Sequence, residues 1–276
     1  MSDAAETFLG LAPISDRHAD EDHRTHDILG VNVWAATCTA AVAEIQRDID
    51  DGGHRKLSFL NAHGANIAYS DQNYCNTLQQ FTVLSDGVGL DLGARILYGS
   101  AFPENLNGTD FIPALLSRLT AGRKIALLGA RPGIADLAAQ RFSQQYSQHE
   151  FNVISDGYFD NAGEEAILAQ LKQQRPDILL VAFGNPKQEN WIAENCTSDH
   201  AAVCIGVGAL LDFTSGTITR APQWLIKSRG EWLYRLWLEP KRMWRRYMIG
   251  NPLFLSRMLM QKIFGPKNGP KNGAGT

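Results

Sequence analysis

The sequence predicts an α/β fold in which a mostly parallel sheet is covered by helices and followed by a basic, aromatic helical arm at the C-terminal end. Short apolar runs alternate with longer amphipathic segments between residues 56 and 207, as in parallel strands joined by crossover helices. Several of these runs end in glycine-containing turns. The chain has 276 residues, of which 44% are hydrophobic, enough for one large core. Together these features favour a Rossmann-like sheet.

The individual elements follow from local spacing. Ala41, Val42 and Ile45 recur at helical spacing. They predict a helix over residues 37–50, which Gly52 ends. Strands are predicted over 56–61, 81–85, 124–128, 151–155, 177–183 and 202–207. Helices are predicted near 65–79, 87–98, 109–121, 133–147, 163–174 and 187–196.

Composition divides the chain into four parts. Residues 1–27 hold seven acidic residues, three histidines and few large apolar side chains, so we expect a disordered leader. The irregular spacing of His18, His23 and His26 predicts solvated side chains and no metal site. The other parts are the α/β body at 28–219, the helical arm at 220–262 and a flexible tail of low complexity at 263–276.

Cysteine usage and hydropathy exclude several classes of protein. The four cysteines lie far apart without CxxC or Cys/His spacing, which predicts neither a disulfide framework nor a structural metal and suits a reduced cytoplasm. No apolar run reaches the roughly 20 residues that span a bilayer. The first residues also lack the basic and apolar regions of a signal peptide. We therefore expect a cytoplasmic protein that is neither exported nor inserted into a membrane.

Charge is distributed unevenly along the chain. The formal net charge is −3, yet residues 220–262 contain ten basic and two acidic residues, so the arm carries +8 and the remainder −11. Aromatic side chains interleave with these cations, a combination that suits an anionic membrane surface. We expect peripheral attachment to the inner face of the cell membrane. Part of the arm is expected to pack on the body instead, through Trp232, Leu233, Leu236 and Trp237.

Polar residues follow the predicted strands, at the sheet edge where open α/β sheets bind ligands. Lys187 and Gln188 start a helix after an apolar strand and a Gly-Asn-Pro turn. Asp86 follows another strand inside a glycine-rich turn, either exposed in the crevice or as the cap of the next helix. The loop 105–110 is a third polar segment that precedes a helix. Its residues either line the crevice or, at Thr109 or Asp110, cap that helix. Gly129 and Gly208 lie in further turns of this kind.

Known cofactor fingerprints are absent from these loops. The sequence contains neither GxGxxG nor the Walker GxxxxGK[ST] motif, which argues against a nicotinamide-dependent oxidoreductase. Asp48 and Asp50 have the DxD form of metal-dependent sugar transferases, but they end an amphipathic helix. We expect no cofactor and no obligatory metal ion, and the sequence leaves metal dependence open.

Taken in order, the loops resemble those of the WecG/TagA/CpsF glycosyltransferases, glycosyltransferase family 26. The similarity covers roughly residues 56–251. The matching segments are Asn61-Ala62, Ser85–Gly89, Asn107–Asp110, Leu127–Gly133, Asp156–Phe159, Phe183–Glu189, Gly206–Phe213, Arg220–Pro222 and Glu231–Arg235.

The resemblance implies transfer of a sugar from a UDP-sugar to a polyprenyl-diphosphate-linked saccharide, with inversion, in bacterial surface polysaccharide or exopolysaccharide synthesis. It implies that Asp86 is the catalytic base, which takes the acceptor's hydroxyl proton, and that Gln188 contacts substrate. Backbone amides near Gly129 and Gly208 and arginines of the arm would stabilise the leaving diphosphate. The remaining implied substrate-binding residues are Asn61, Asn107, Asp110, Arg131, Lys187, Asp212, Arg220 and Arg235.

Two departures from the family's pattern leave the donor open. Phe59 and Asn105 stand where characterised relatives have threonine and arginine, and both positions are expected near donor or acceptor. The donor is therefore either of the UDP-N-acetylmannosamine type or a UDP-glucuronic acid or UDP-hexose.

Alternative functions and partners also remain. One alternative is another nucleotide-dependent enzyme on the same sheet, and a second is a non-enzymatic membrane-surface binding protein that uses the arm alone. The arm's composition would also serve nucleic acid, but we do not expect that partner. Self-association as a homo-oligomer is compatible with the sequence, which does not fix an oligomeric state.

Overall fold

The computed structural model describes residues 24–222, residue 225 and residues 230–266. Residues 1–23 of the predicted leader and residues 267–276 of the predicted tail lie outside the described residues.

The predicted parallel sheet is confirmed. Its eight strands are β1 Thr25–Ile28, β2 Val31–Trp34, β3 Arg55–Leu60, β4 Thr82–Ser85, β5 Lys124–Gly129, β6 Glu150–Ser155, β7 Ile178–Ala182 and β8 Val203–Gly206. They lie in the order β1-β2-β4-β3-β8-β7-β5-β6. All neighbours pair in parallel except β1 and β2, which form an antiparallel hairpin.

Helices connect the strands and cover both faces. Those described in the body are α1 Cys38–Asp50, α2 Ala62–Ser70, α3 Gln72–Leu78, α4 Val88–Tyr98, α5 Gly108–Arg118, α6 Ile134–Gln145, α7 Asn161–Gln174, α8 Lys187–Asn195 and α9 Leu210–Thr214. The helix predicted at 65–79 is in fact two helices. Asp71 separates them, because its backbone is extended and its carboxylate accepts hydrogen bonds from the amides of Asn73 and Tyr74 at the start of α3.

The sheet places its apolar side chains alternately on two sides. In β5, Ile125 and Leu127 join one buried cluster with α1, α5 and α6. Ala126 and Leu128 join a second cluster with helices α2, α3 and α8 on the opposite face. This alternation is the pattern of a strand buried on both faces, and it leaves the strand ends as the place for polar chemistry.

The β1–β2 hairpin is missing from the sequence prediction. Its turn uses Leu29 and Gly30, both at positive φ, and its first strand takes in residues 25–27 of the predicted leader. The expectation that His26 is solvated is wrong, because the ring is 4% exposed and stacks on Tyr98 at a centroid distance of 4.1 Å. Burial also lowers the pKa of His26.

The described arm contains the helices α10 Glu231–Leu238, α11 Pro240–Trp244 and α12 Asn251–Phe264, with a π-helical turn over Arg245–Gly250. The arm therefore extends to Phe264, and the predicted start of the flexible tail at residue 263 is wrong because residues 263 and 264 are helical. Helix α12 packs on α4, where Phe254 and Met258 are fully buried. Gly93 makes this approach possible, because a Cβ there would lie 3.0 Å from the Phe254 ring. No helix among the described residues is both long and apolar enough to cross a bilayer.

Arg257 fastens α12 to α2. Its guanidinium donates to the carbonyl oxygen of Asn66 at 3.0 Å, to Asn66 Oδ1 at 2.8 Å and to Ser70 Oγ at 3.1 Å, and it stacks over Tyr69. This basic residue therefore serves the fold.

The segment of the arm that was expected to pack on the body, around Trp232 to Trp237, is not the one that is most deeply buried. Trp232, Leu233 and Trp237 are 42%, 49% and 75% exposed, so α10 is less buried than predicted. The docked part of the arm is α12, because Phe254 and Met258 supply the apolar contacts and Arg257 the polar ones.

Candidate active site

The candidate site lies at the carboxyl edge of the sheet. The chain passes from β3 to its neighbour β4 and then crosses to β5 on the other side of β3. A reversal of this kind opens a crevice beyond the strand ends, where α/β proteins bind ligands. The loops after β3, β4, β5, β6, β7 and β8 carry most of the predicted site residues.

Asp86 and Asn61 meet at the ends of β4 and β3. The Asp86 amide donates to the Leu60 carbonyl at 2.7 Å, and Asn61 Nδ2 donates to Asp86 Oδ2 at 3.1 Å. The alternative interpretation of Asp86 as a helix cap is wrong, because α4 begins after Gly87 without a side-chain cap. A half-buried carboxylate is thus held at the crevice.

Glycine and Asn105 shape the turn that carries Asp86. Gly87 has φ +93, a left-handed conformation that disfavours other residues, and its amide donates to Asn105 Oδ1 at 3.0 Å. Asn105 therefore lies next to the candidate base, as expected. Phe59, the other departure from the family's pattern, is 8% exposed and packs beneath Gly108, so it reaches the crevice only through the position of that loop.

Asn107, Asp110 and Arg220 form a second polar group. Asn107 caps α5, accepting from the Asp110 amide at 3.0 Å and donating to Asp110 Oδ2 at 2.8 Å. The expected cap at Thr109 or Asp110 is thus supplied by Asn107. Arg220 Nη2 lies 2.6 Å from Asp110 Oδ1, an ion pair that ties the start of the arm to the crevice.

The end of β5 is a close backbone crossing. Gly129 has φ +115, and a Cβ there would lie 2.7 Å from the Ala182 carbonyl oxygen. The next residue, Ala130, donates its amide to the same oxygen at 2.9 Å and accepts from the Gly157 amide at 2.8 Å. The ends of β5, β6 and β7 are therefore held together at a point where only glycine fits.

A cavity of about 240 Å³ opens at these strand ends. Its lining combines cations, a carboxylate and aromatic rings: Ala130, Arg131, Gly157, Tyr158, Ala182, Phe183, Lys187 and Asp212. Lys187 Nζ lies 5.0 Å from the Phe183 ring centroid, and Arg131 Nη2 lies 3.7 Å from Asp212 Oδ1. Three predicted site residues, Arg131, Lys187 and Asp212, thus share one pocket.

Gln188 occupies a different environment from the one expected. Its side chain is 2% exposed, and its Oε1 accepts from the amides of Gly184 at 3.1 Å and Gly208 at 3.0 Å. The expectation that the Gln188 side-chain amide is open to the crevice is wrong, because its oxygen already accepts these two backbone hydrogen bonds. For the same reason the Gly208 amide is not available to a leaving diphosphate. Spacing could have indicated this burial, since Gln188 shares a helical face with Trp191 and Ile192, which are also buried.

Glu189 is a buried residue next to the pocket that the sequence analysis did not include among the predicted site residues. It is 0% exposed, and burial raises the pKa of its carboxyl. Burial and the nearby Glu189 also raise the pKa of Tyr74. The run Lys187-Gln-Glu therefore places one residue in the pocket and two beneath it.

The remaining candidates lie outside this pocket. Arg235 of α10 stacks over Phe213 at 4.9 Å, which brings the arm to the segment after β8. Asp48 and Asp50 form ion pairs with Arg55 and Arg123. Arg55 begins β3, so the DxD sequence lies at the amino edge of the sheet, opposite the crevice.

A half-buried carboxylate and a cation-lined pocket thus lie on one edge of an α/β sheet, the edge where such folds bind ligands. A model of the Glycosyl transferase WecG/TagA/CpsF family matches residues 26–268. The chain belongs to this family and is a glycosyltransferase.

Two relatives give the extent of the similarity. An N-acetylglucosaminyldiphosphoundecaprenol N-acetyl-beta-D-mannosaminyltransferase of Bacillus subtilis (strain 168) is 31% identical over 217 residues, covering 76% of this chain and 83% of the relative. The enzyme of the same name from Staphylococcus aureus (strain NCTC 8325 / PS 47) is 28% identical over 240 residues, covering 86% of this chain and 92% of the relative.

Proposed function

We propose that the protein transfers a sugar from a UDP-sugar to a polyprenyl-diphosphate-linked saccharide, with inversion at the anomeric carbon. The observation that carries the proposal is the pairing of Asp86 with Asn61 on the same sheet edge as the cation-lined pocket. The two relatives are named for transfer to N-acetylglucosaminyldiphosphoundecaprenol, which supports the class of acceptor.

Asp86 is the proposed general base. In an inverting transfer, the acceptor hydroxyl attacks the anomeric carbon, the bond to the UDP oxygen breaks, and the hydroxyl proton passes to a carboxylate. Asn61 binds one oxygen of Asp86, which leaves the other to take this proton. The hydrogen bond also fixes the direction in which the carboxylate points.

The pocket is the proposed site for the UDP part of the donor. Lys187 and Arg131 supply positive charge for the diphosphate. Asp212 can accept hydrogen bonds from the ribose hydroxyls. The aromatic ring of Phe183 or Tyr158 can stack on the uracil ring. Helix α8 begins at Lys187, which adds a favourable dipole. The Gly208 amide already donates to Gln188. The negative charge that develops on the leaving diphosphate is therefore stabilised by Lys187, Arg131 and the arginines of the arm.

The spacing of the sheet fits a donor that bridges the two regions. Strands β4 and β7 are separated by β3 and β8, so their ends lie roughly 14 Å apart at the usual strand spacing. The reacting sugar would lie between the pocket and Asp86, above the ends of β3 and β8.

The proposed donor is UDP-N-acetylmannosamine, the type that the names of both relatives indicate. One observation keeps UDP-glucuronic acid or a UDP-hexose as the second candidate. Asn105, which departs from the family's pattern, lies directly against the turn of Asp86, where a changed side chain would alter the space for the sugar.

The arm is the proposed contact with the membrane that holds the lipid acceptor. Its exposed apolar residues include Trp237, Trp244, Ile249, Ile263 and Phe264. Exposed Lys241, Arg245 and Lys262 lie among them. This mixture suits a lipid interface with anionic head groups, so we propose a peripheral position on the inner face of the cell membrane.

The test is a transfer assay with the purified chain, a short lipid-diphosphate acceptor bearing one sugar, and a panel of radiolabelled UDP-sugars. We expect transfer from UDP-N-acetylmannosamine and product of inverted configuration by NMR. Transfer from a glucuronic acid or hexose donor alone would select the second candidate. Binding of UDP without transfer to any acceptor would favour another nucleotide-dependent enzyme, and membrane binding without UDP binding would favour a pure binding protein.

A further inference from the structure

A polar cluster, in which four of five members are buried and Asn185 is exposed, lies behind the proposed donor pocket. We call it the Glu189 hub, and it consists of Glu189, Gln188, Asn185, Ser58 and Tyr74. Three donors converge on Glu189 Oε1: Ser58 Oγ at 2.9 Å, Asn185 Nδ2 at 2.6 Å and Gln188 Nε2 at 2.8 Å. Tyr74 joins the cluster through its hydroxyl, which accepts from Asn185 Nδ2 at 3.4 Å.

The hub connects three strand ends. Ser58 belongs to β3 and Asn185 to the loop after β7. Gln188 extends the network to the loop after β8, because its Oε1 accepts from both Gly184 and Gly208. Gly206 leaves room for this amide, since a Cβ there would lie 2.7 Å from Gln188 Nε2. The position of Gln188 is therefore fixed from every side.

Two pocket residues depend on this arrangement. Lys187 immediately precedes Gln188, and Asp212 lies in the short helix that follows Gly208. The hub thus joins the loop that carries the pocket's lysine to the loop that carries its carboxylate. No hub residue lines the pocket, so its effect on a ligand is indirect.

We propose that Glu189 is a positioning residue for the nucleotide-sugar donor, which fixes Gln188 and through it the spacing of Lys187 and Asp212. This inference rests on the proposed function, because it takes the pocket as the donor site. No described cation forms an ion pair with Glu189, and burial raises the pKa of its carboxyl. The working atom is Oε1, which accepts the three hydrogen bonds.

The test compares an isosteric replacement with an apolar one. Glu189→Gln keeps an acceptor oxygen, whereas Glu189→Leu leaves the buried donors of Ser58 and Gln188 without one. A matched control is His149→Leu, which removes a buried polar side chain bonded to the Leu116 carbonyl oxygen, near the amino end of β6 and away from the pocket. UDP is the probe, measured by calorimetric titration of the full chain, followed by donor KM and kcat in the transfer assay.

We expect Glu189→Leu to weaken UDP binding and raise the donor KM by about tenfold, with a fall in kcat of less than about threefold. Glu189→Gln should restore both to within about twofold of wild type, and the control should bind UDP like wild type. Equal UDP binding by Glu189→Leu and wild type would overturn the positioning role. Failure of Glu189→Gln to rescue would overturn the claim that an acceptor oxygen at this position is what holds Gln188 in place.

Two further outcomes are distinguishable. If the wild-type chain binds no UDP, the proposed function fails and not only the role of Glu189. If Glu189→Leu does not fold, Ser58→Ala takes its place, because it removes one hub donor and keeps the carboxyl. About threefold weaker UDP binding by Ser58→Ala would support the hub, and unchanged binding would overturn it.

Discussion

Asn61 holds Asp86 through a single amide that does two tasks. Its Nδ2 donates to Asp86 Oδ2 at 3.1 Å, while its Oδ1 accepts from the Gly64 amide at 3.1 Å at the start of α2. The candidate base is therefore oriented by the cap of a helix in the body. Any movement of α2 relative to the sheet would change the direction of the carboxylate.

The first prediction concerns this carboxylate. Asp86→Asn should lower kcat by about 10²–10⁴ and leave UDP affinity within about twofold, because it removes the proton acceptor at nearly constant size. Initial rates with saturating donor and acceptor measure the effect. Asp51→Asn, the same chemical change at an exposed residue after α1, should keep normal turnover. More than about half of wild-type turnover in Asp86→Asn would disprove the assignment of the base.

The Asp110–Arg220 pair gives a second prediction. Both side chains are partly exposed, so the pair should contribute no more than about 1 kcal/mol to the free energy of unfolding. Its larger effect should be on the lipid acceptor, because it fixes the start of the arm. Asp110→Asn and Arg220→Gln should each lower kcat/KM for the acceptor by about tenfold. The double variant should be no worse than either single one, and strictly additive losses would contradict a shared role.

A third prediction concerns the basic residues of the arm. Neutralising Lys241, Arg242, Arg245 and Arg246 together should greatly weaken association with anionic liposomes, since each cation is worth about 1 kcal/mol near such a surface. Vesicle co-sedimentation at low salt measures it, and binding by wild type should fall as salt rises.

The control for the arm removes the same number of cations from the surface of the body: Arg47, Lys124, Lys172 and Arg175. This variant should bind anionic vesicles like wild type. If the arm variant also binds like wild type, its cluster is not the membrane contact and the diphosphate or a partner subunit becomes the better assignment. Removal of all residues from Arg220 onward should abolish both vesicle association and transfer.

The fourth prediction is a pH dependence of stability. The folded pKa of Glu189 is raised by burial, so the unfolded state loses its proton first as pH rises. Glu189 therefore weakens the fold progressively above its unfolded pKa, near 4.3, until pH reaches the folded pKa. The stability of wild type relative to Glu189→Gln should fall by up to about 1.4 kcal/mol per pH unit over that window. Denaturant unfolding between pH 5 and pH 8 measures this difference, and a constant difference would contradict the shift.

The sheet was predictable because its central strands are continuous apolar runs, each ended by glycine or a polar residue. The β1–β2 hairpin was not, because β1 is only four residues long and contains His26 and Asp27 within an acidic stretch. Its burial depends on Tyr98 of α4 and on Gln261 of α12, contacts that link distant parts of the chain. Short strands of this kind are stabilised by tertiary packing, which local patterns do not record.

The candidate site was predictable to the level of its loops. Strand ends indicate which residues share an edge of the sheet, so Arg131, Lys187 and Asp212 could be grouped before their positions were known. Side-chain direction is a different matter. Lys187 and Gln188 are adjacent in the chain, yet Lys187 is exposed while Gln188 is buried against the amides of Gly184 and Gly208. Nothing in the sequence around Arg257 indicates that it binds Asn66.

The attachment of α12 to α2 has a consequence for which acceptors the enzyme can use. Arg257 grips α2 at Asn66 and Ser70, while Asn61 at its other end holds Asp86. Nine helical residues span roughly 13 Å, so α2 is a strut of fixed length between the arm and the base. With the arm lying on the bilayer as proposed, helix α2 fixes the distance between Asp86 and the lipid head groups. A fixed separation of this kind limits how far from the membrane an acceptor hydroxyl can lie when it reaches Asp86.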